Sequence, residues 1–356
     1  MSSLNDFLRL MVEHEASDLF FSPGSPLHIK IDGKIQPVND EHLSAEGVEQ
    51  LAQAIMDEEQ RASFARKPEM NLGLSLPGLG RFRVNIFRQR GVVAIVVRFL
   101  NELIPSVEEL NLPLILQELA MKKRGMVLMV GATGAGKSTS LASMIDYRNQ
   151  NSRSHILTIE EPIEYIHRYK QSIVNQREVG IDTDCYADAL KNAMREAPDV
   201  ILIGEIRDRD TMQHAIAYAE TGHLCLSTLH ATNSNTALQR MVNFFPEVMH
   251  NSILMDLSNN LEAIVSQRLV SGVDGKRMPA VEVLLASPYV RDLIRKGSVD
   301  EVREAMEKST ETGMQSFDQS LFSLYQRGLI TTEEAMANAE STSNLNVMIK
   351  LSKGQV

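Results

Sequence analysis

MVLMVGATGAGKST, residues 126–139, runs five apolar residues into a glycine-rich stretch that closes on Lys-Ser. A strand feeding such a loop, with a helix opening at the lysine, is the context in which GxxxxGK[ST] signals phosphate binding. The glycines let consecutive N–H groups turn inward on a β-phosphate. Thr133, Gly134, Ala135 and Gly136 form that cradle. Lys137 is placed to bridge the β- and γ-phosphates, Ser138 to hold Mg²⁺, and Thr139 follows in the first helical turn. The helix adds the positive end of its dipole. No [NT]KxD segment that would read guanine follows, so the nucleotide is expected to be ATP.

Outward from the loop, apolar runs alternate with helical segments: MVLMV, HILTI (155–159), VILIG (200–204) and HLCLSTL (223–229). Runs without alternation are those of a parallel sheet covered on both faces, so an α/β core is expected over 114–286. Upstream the texture differs. Leu4, Phe7, Leu8 and Met11 form one stripe of a helix. DLFFS (18–22), LHIKI (27–31) and KIQPV (34–38) read as strands, with Asp32-Gly33 as a hairpin turn. Leu72, Leu74 and Leu76 alternate with polar or small residues, Phe82, Val84 and Ile86 alternate with Arg81, Arg83 and Asn85, and VVAIVV (92–97) is a buried strand. Residues 1–100 are therefore expected to form a small α+β domain. NELIPSVEELNLP (101–113), interrupted by Pro105 and Pro113, reads as a linker. Residues 287–356 read as short helices with no further strand, ending after Ser341 in a Ser-, Asn- and Lys-rich tail expected to be mobile.

Bulk properties restrict the function. The 356 residues favour about two domains. With 36 basic against 46 acidic residues, net charge −10, the chain lacks the basic excess of a protein whose main partner is nucleic acid. The two cysteines, Cys185 and Cys225, form no CxxC pair, which excludes four-ligand structural zinc; they read as buried thiols of a reduced, cytoplasmic protein. The acidic, amphipathic N-terminus is unlike a signal peptide. No apolar run approaches the roughly 20 residues that cross a bilayer, so any membrane action is expected to go through partners.

Carboxylates cluster after the strands. VILIGE (200–205) has the apolar-run-then-acid form of a Walker B segment, with Gly204 in the usual Asp position and Glu205 one residue later, placed to orient the attacking water. TIEEPIE (158–164) directly follows HILTI. Three carboxylates there need an offsetting cation, which Mg²⁺ and its water shell would supply. Glu160 and Glu164 are expected to face the site and Glu161 the solvent. His223 and His230 bracket a third strand, either as hydrogen-bonded core residues or as a sensor of the γ-phosphate. Arg81 and Arg83 share one strand face opposite Phe82 and Val84, either as a solvated basic face or as arginines supplied to a phosphate.

GATGAGKS (131–138), TIEEPIE, LIGEIRD (202–208) and TGHLCLSTLH (221–230), in this order, resemble the Walker A loop, acidic box, atypical Walker B and histidine box of the secretion ATPases that drive type II secretion and type IV pili. ASDLFFSPGSPLHIKIDGKI (16–35) and GRFRVNIFRQRG (80–91) resemble the first domain of the pilus retraction ATPases, the PilT/PilU family. The longer N-terminal region and four-cysteine insert of extension ATPases are absent from this sequence. GMQSFDQSLFSLYQRGLI (313–330) is more similar to the PilU branch. The resemblance implies a PAS-like N-terminal domain, a RecA-like ATPase core and a C-terminal helical region. It also implies a cytoplasmic homo-hexameric ring at the inner-membrane face of the pilus machine, working on a membrane platform protein and, for PilU-like members, with a PilT-like ATPase. It assigns Lys137 and Ser138 to nucleotide and Mg²⁺, Glu205 to hydrolysis, Glu160 and Glu164 to the acidic box, and His223 and His230 to the histidine box. Arg81, Arg83 and Arg98 stand where arginines of the first domain reach a nucleotide. Two other readings share the loop: an accessory subunit with low turnover of its own, and a DNA translocase, against which the acidic balance weighs.

Overall fold

The computed structural model describes residues 4–31, 33–100, 103–309 and 313–352. Asp32 of the expected hairpin turn, and Asn101 and Glu102 of the expected linker, lie outside them. Two compact units divide the chain. One holds residues 4 to Leu103 with Ile163–Ile166 and Gly180–Asp182; the other holds the rest.

The first unit runs α1 (Leu4–Glu13), β1 (Asp18–Phe21), β2 (Pro26–Ile31), β3 (Lys34–His42), α2 (Ala45–Ile55), α3 (Glu58–Arg66), β4 (Glu69–Leu76), β5 (Gly80–Gln89) and β6 (Val92–Leu100). Its six strands form an antiparallel sheet in the order β3-β2-β1-β6-β5-β4. Period-two alternation sends Leu19, Val97, Val84 and Leu72, which are mutual cross-strand partners, to one face. There they pack with Leu8 and Met11 of α1, Val48 and Ala52 of α2, and Phe64 of α3. The opposite face carries a row of charge, Lys30, Asp18, Arg98 and Arg83, again in direct register. Two arginines directly opposed repel. Asp18 offsets this by accepting from Arg98 Nε at 2.8 Å, with Lys30 at 3.9 Å on its other oxygen.

The second unit runs α4 (Ile115–Ala120), β7 (Gly125–Val130), α5 (Lys137–Asn151), β8 (His155–Glu160), β9 (Ile173–Glu178), α6 (Tyr186–Ala193), β10 (Val200–Ile203), α7 (Arg209–Glu220) and β11 (Leu224–Leu229). It continues with α8 (Ser234–Asn243), α9 (His250–Asn260), β12 (Leu261–Ser271), β13 (Arg277–Leu285), α10 (Pro288–Lys296), α11 (Val302–Glu307), α12 (Phe317–Gln326), α13 (Thr332–Asn338) and α14 (Thr342–Ser352). Seven strands form one sheet, β13-β12-β7-β11-β10-β8-β9, parallel throughout except for the β12–β13 pair. Both faces are covered, which is why the central strands read as unbroken apolar runs. Met126, Leu128 and Val130 face one core cluster, and Val127 and Met129 the other.

Three expectations change. β9, β12 and β13 extend the sheet beyond the four strands legible as apolar runs; IVNQRE and AIVSQRLV carry interior polar residues that hid them. Thr342–Ser352 of the tail expected to be mobile form helix α14, and residues 353–356 of it lie outside the described residues. Leu345 and Ile349 are buried against Phe317 and Leu321, each burial worth roughly 2 kcal/mol, enough to hold the helix down. Of the two thiols, Cys225 is buried in β11, but Cys185 is exposed, because it caps the start of α6 after a polar turn rather than lying in an apolar run. In addition, Val107 and Leu112 of the 101–113 segment are buried with Leu116 and Met129 in the core of the second unit.

The C-terminal helices are tied to the sheet by Arg268 of β12. Its guanidinium stacks 3.6 Å from the Phe317 ring centroid, donates to the Asn338 carbonyl at 3.1 Å and pairs with Glu340 at 3.1 Å. Glu340 also pairs with Arg303 of α11 at 3.3 Å.

Candidate active site at one edge of the parallel sheet

In a parallel sheet all strands finish on the same edge, and four adjacent strands bring the expected motifs to it. The phosphate loop follows β7, His230 follows β11, Glu205 follows β10 by two residues, and Glu160 ends β8.

The loop is shaped by the sequence that folds it. Gly131 sits at φ +155°, and a Cβ there would come 2.4 Å from the Gln267 carbonyl oxygen, so no larger residue fits. Gly136, at φ +85°, caps the N-terminus of α5. Thr133 and Gly134 are exposed at the loop tip, Ala135 is buried, and Ser138 and Thr139 are half-buried in the first turn of α5. Lys137 is buried, and its ammonium donates to the carbonyls of Gly131 and Ala132 at 2.9 Å each, which holds the charge on the loop axis.

Glu205 is fixed by β11. Ser227 Oγ donates to the Ile203 carbonyl at 2.6 Å, Thr228 Oγ1 to that of Gly204 at 2.7 Å, and Ile206 N–H to the Thr228 carbonyl at 2.9 Å. The carboxylate then lies between two side chains: His230 Nε2 at 3.0 Å on one oxygen and Arg207 Nε at 2.9 Å on the other. Arg207 also reaches Glu161 through Nη1 at 2.9 Å. Its pKa is pushed further up, first by the hydrogen bond to Glu205, then by the charges of Glu205 and Glu161, against the opposing effect of burial.

Gly204, in the usual Asp position, is closely packed. A Cβ on Gly204 would lie 2.9 Å from the Tyr186 hydroxyl, 3.2 Å from Glu160 Cα and 3.3 Å from the Ile159 carbonyl. A side chain at 204 would crowd the Tyr186 hydroxyl and the end of β8, and the carboxylate stands one residue later. Burial raises the Tyr186 pKa far above the ordinary phenol value, with Glu161, Glu160 and Glu205 adding to the rise, so this hydroxyl stays protonated beside the acids.

The acidic box divides. Glu160 accepts from Thr158 Oγ1 at 2.6 Å and from Gln176 Nε2 at 3.3 Å. Glu161 is exposed, as expected, and is joined to Glu205 through Arg207. Glu164 is exposed in the short stretch grouped with the first unit. His223 stands at the start of β11 beside Gly125, roughly 20 Å of strand from the loop edge. Its Nδ1 contacts Thr221 Oγ1 at 3.0 Å and the Tyr218 carbonyl at 3.2 Å. Arg81, Arg83 and Arg98 lie in the first unit: Arg98 on Asp18, Arg83 in register beside it, and Arg81 against Gly73. Sequence reasoning missed Tyr186, Arg207 and Gln267. An arginine two residues after a strand-end acid was a readable sign for Arg207; a glutamine inside an apolar run was one for Gln267.

A phosphate loop, strand-end acids and a histidine on one edge of a parallel sheet define a P-loop ATPase of the secretion type. Residues 1–323 match the family described as Type II/IV secretion system protein, and the chain belongs to that family. Within it the chain falls in the PilT/PilU group. It is 55% identical to the type IV pilus ATPase PilU of Pseudomonas aeruginosa over 345 residues, 97% of this chain and 90% of that one. It is 38% identical to the type IV pilus retraction ATPase PilT of the same organism, over 96% of this chain and 99% of the relative. Its fold matches the crystal structure of the pilus retraction motor PilT with bound ADP at a TM-score of 0.90 and 40% identity, covering 98% and 100% of the two chains. Use of a nucleotide follows from this membership. No helix among the described residues is long and apolar enough to cross a membrane.

Proposed function

We propose that this chain is an ATP-hydrolysing motor of type IV pilus retraction, acting as a homo-hexameric ring on a membrane platform protein at the cytoplasmic face of the inner membrane. The observation that carries the chemistry is Glu205, held between His230 and Arg207 on the sheet edge that also bears the phosphate loop. Lys137 and the loop amides hold the phosphates of ATP. The half-buried Ser138 hydroxyl, at the start of α5, fits Mg²⁺, which takes one protein oxygen with phosphates and waters and needs no carboxylate cage; bound there, it would neutralise charge developing on the phosphates. Glu205 orients the attacking water, with His230 and Arg207 fixing the direction of its carboxylate. Glu160 lies on the adjoining strand end, and Glu164 is a candidate by its place in the acidic box alone. His223 is outside this set within one chain.

Arg81, Arg83 and Arg98 remain the candidate arginines for contact with a nucleotide, by their place in the first-domain motif. The higher identity to PilU favours a second reading, an ATPase that works together with a PilT-like motor. Mg²⁺-dependent ATP turnover by the purified protein, with Glu205→Gln as control, separates the two. Turnover abolished by the substitution supports an intrinsic motor. Nucleotide binding without turnover until a PilT-like ATPase is added supports the second reading, and no binding at all sinks both.

A further inference from the structure

β12 lies beside β7, and its Ser266 is in register with Val130, the residue before the phosphate loop. One residue further on, Gln267 is 4% exposed, a polar side chain inside the sheet. Both ends of its amide are used. Nε2 donates to the Ala135 carbonyl at 2.8 Å, and Oε1 accepts from Ser140 Oγ at 2.7 Å. The contact is close throughout: a Cβ on Gly136 would lie 2.8 Å from Nε2.

The consequence follows from peptide geometry. In a planar trans peptide the C=O and the following N–H point in opposite directions. A donor that draws the Ala135 carbonyl toward β12 therefore aims the Gly136 N–H away from β12, into the concavity of the loop. The Ala135 carbonyl can only accept, which fixes which way round the amide sits, and the Ser140 hydroxyl, on the first turns of α5, then donates to the Gln267 oxygen. We infer that Gln267 is a positioning residue of the nucleotide site: it orients the 135–136 peptide so that its N–H faces the bound phosphates. This rests on the reading of the loop as the nucleotide site.

A loop N–H contacts the phosphates equally in ground and transition states, so its loss weakens binding without slowing chemistry. Gln267→Leu keeps the volume and removes both hydrogen bonds. It is expected to weaken binding of a fluorescent ADP analogue by roughly ten- to a hundredfold, about the worth of one hydrogen bond to a charged group. The KM for ATP should rise in parallel, with kcat within about threefold, while the melting temperature of the nucleotide-free protein falls somewhat because the Ala135 carbonyl and the Ser140 hydroxyl lose a buried partner. Ser140→Ala, which removes the anchor of the amide oxygen, should act in the same direction more weakly, and it decides the matter if the Leu variant fails to fold. Unchanged ADP affinity in folded Gln267→Leu, or a fall in kcat at constant KM, would overturn the assignment. Failure of the unsubstituted protein to bind ADP would instead overturn the reading of the loop.

Discussion

Lowering the pH from 7 to 5 should destabilise the ATPase unit through His167. This imidazole is buried, 7% exposed, and its Nδ1 has no hydrogen-bond partner among the described residues. Burial pushes its pKa from 6.5 down to about 4, with nearby Lys170 adding to the fall and Asp146 of α5 opposing it. The unfolded chain therefore takes up the proton first as pH drops, so the contribution to stability is complete above about 6.5 and is lost as the pH falls toward about 4. At about 1.36 kcal/mol per pH unit, the full interval corresponds to roughly 3 kcal/mol, of which roughly 2 kcal/mol should be gone at pH 5. Urea unfolding at pH 7 and pH 5 measures this, taking the transition that ADP stabilises as that of the ATPase unit. His167→Gln cannot take the proton, and carboxylates titrating in the same range cancel in the comparison. The unsubstituted protein should lose roughly 2 kcal/mol more than the variant between the two pH values. Equal losses would show that burial does not hold His167 neutral, and the reasoning would fail.

Other substitutions test the site and its supports. Gly204→Ala should lower kcat at least tenfold by displacing Glu205, and Tyr186→Phe in the same chain should restore part of it, since the hydroxyl is the nearest obstacle at 2.9 Å; steady-state kinetics on the single and double variants would show no restoration if the crowding argument is wrong. Glu282 of β13 is buried, and its pKa is raised by that burial against hydrogen bonds from Ser234 and Ser266. A carboxyl raised in the folded state contributes fully below its unfolded pKa and loses that contribution as pH rises through the folded one. Glu282→Gln should accordingly gain in melting temperature relative to the unsubstituted protein between pH 5 and pH 8, and a constant difference would refute it.

Much of this fold was readable because periodicity was undisturbed. The unbroken runs before the phosphate loop and before Glu205, short and bounded by glycine, fit strands covered on both sides, and Phe82, Val84 and Ile86 alternating with polar residues fit a half-buried one. The strands that escaped are those doing polar work in the interior. β12 carries Ser266, Gln267 and Arg268 in succession, each with a partner distant in sequence, and no local pattern announces such partners. The same limit governed the acids. Order along TIEEPIE says that carboxylates follow a strand, but Glu161 is drawn to Glu205 by Arg207, a residue 46 positions away. The two histidines looked equivalent as a bracket around β11. A parallel strand has two different ends, and only His230 stands at the one with the loop.

The three successive polar residues of β12 bear on how this chain can be cut and recombined. Ser266 reaches the Glu282 carboxylate that also holds the first residue of α8, Gln267 holds the phosphate loop, and Arg268 holds Phe317, Asn338 and Glu340. The last helices are thus not a detachable module appended to an engine. Removing α12 to α14 would strip Arg268 of its ring and carboxylate partners one residue from the side chain that aims the loop. A chimera exchanging this region with a relative's keeps its nucleotide site in order only if the donor brings an aromatic ring and an acid to the same two places.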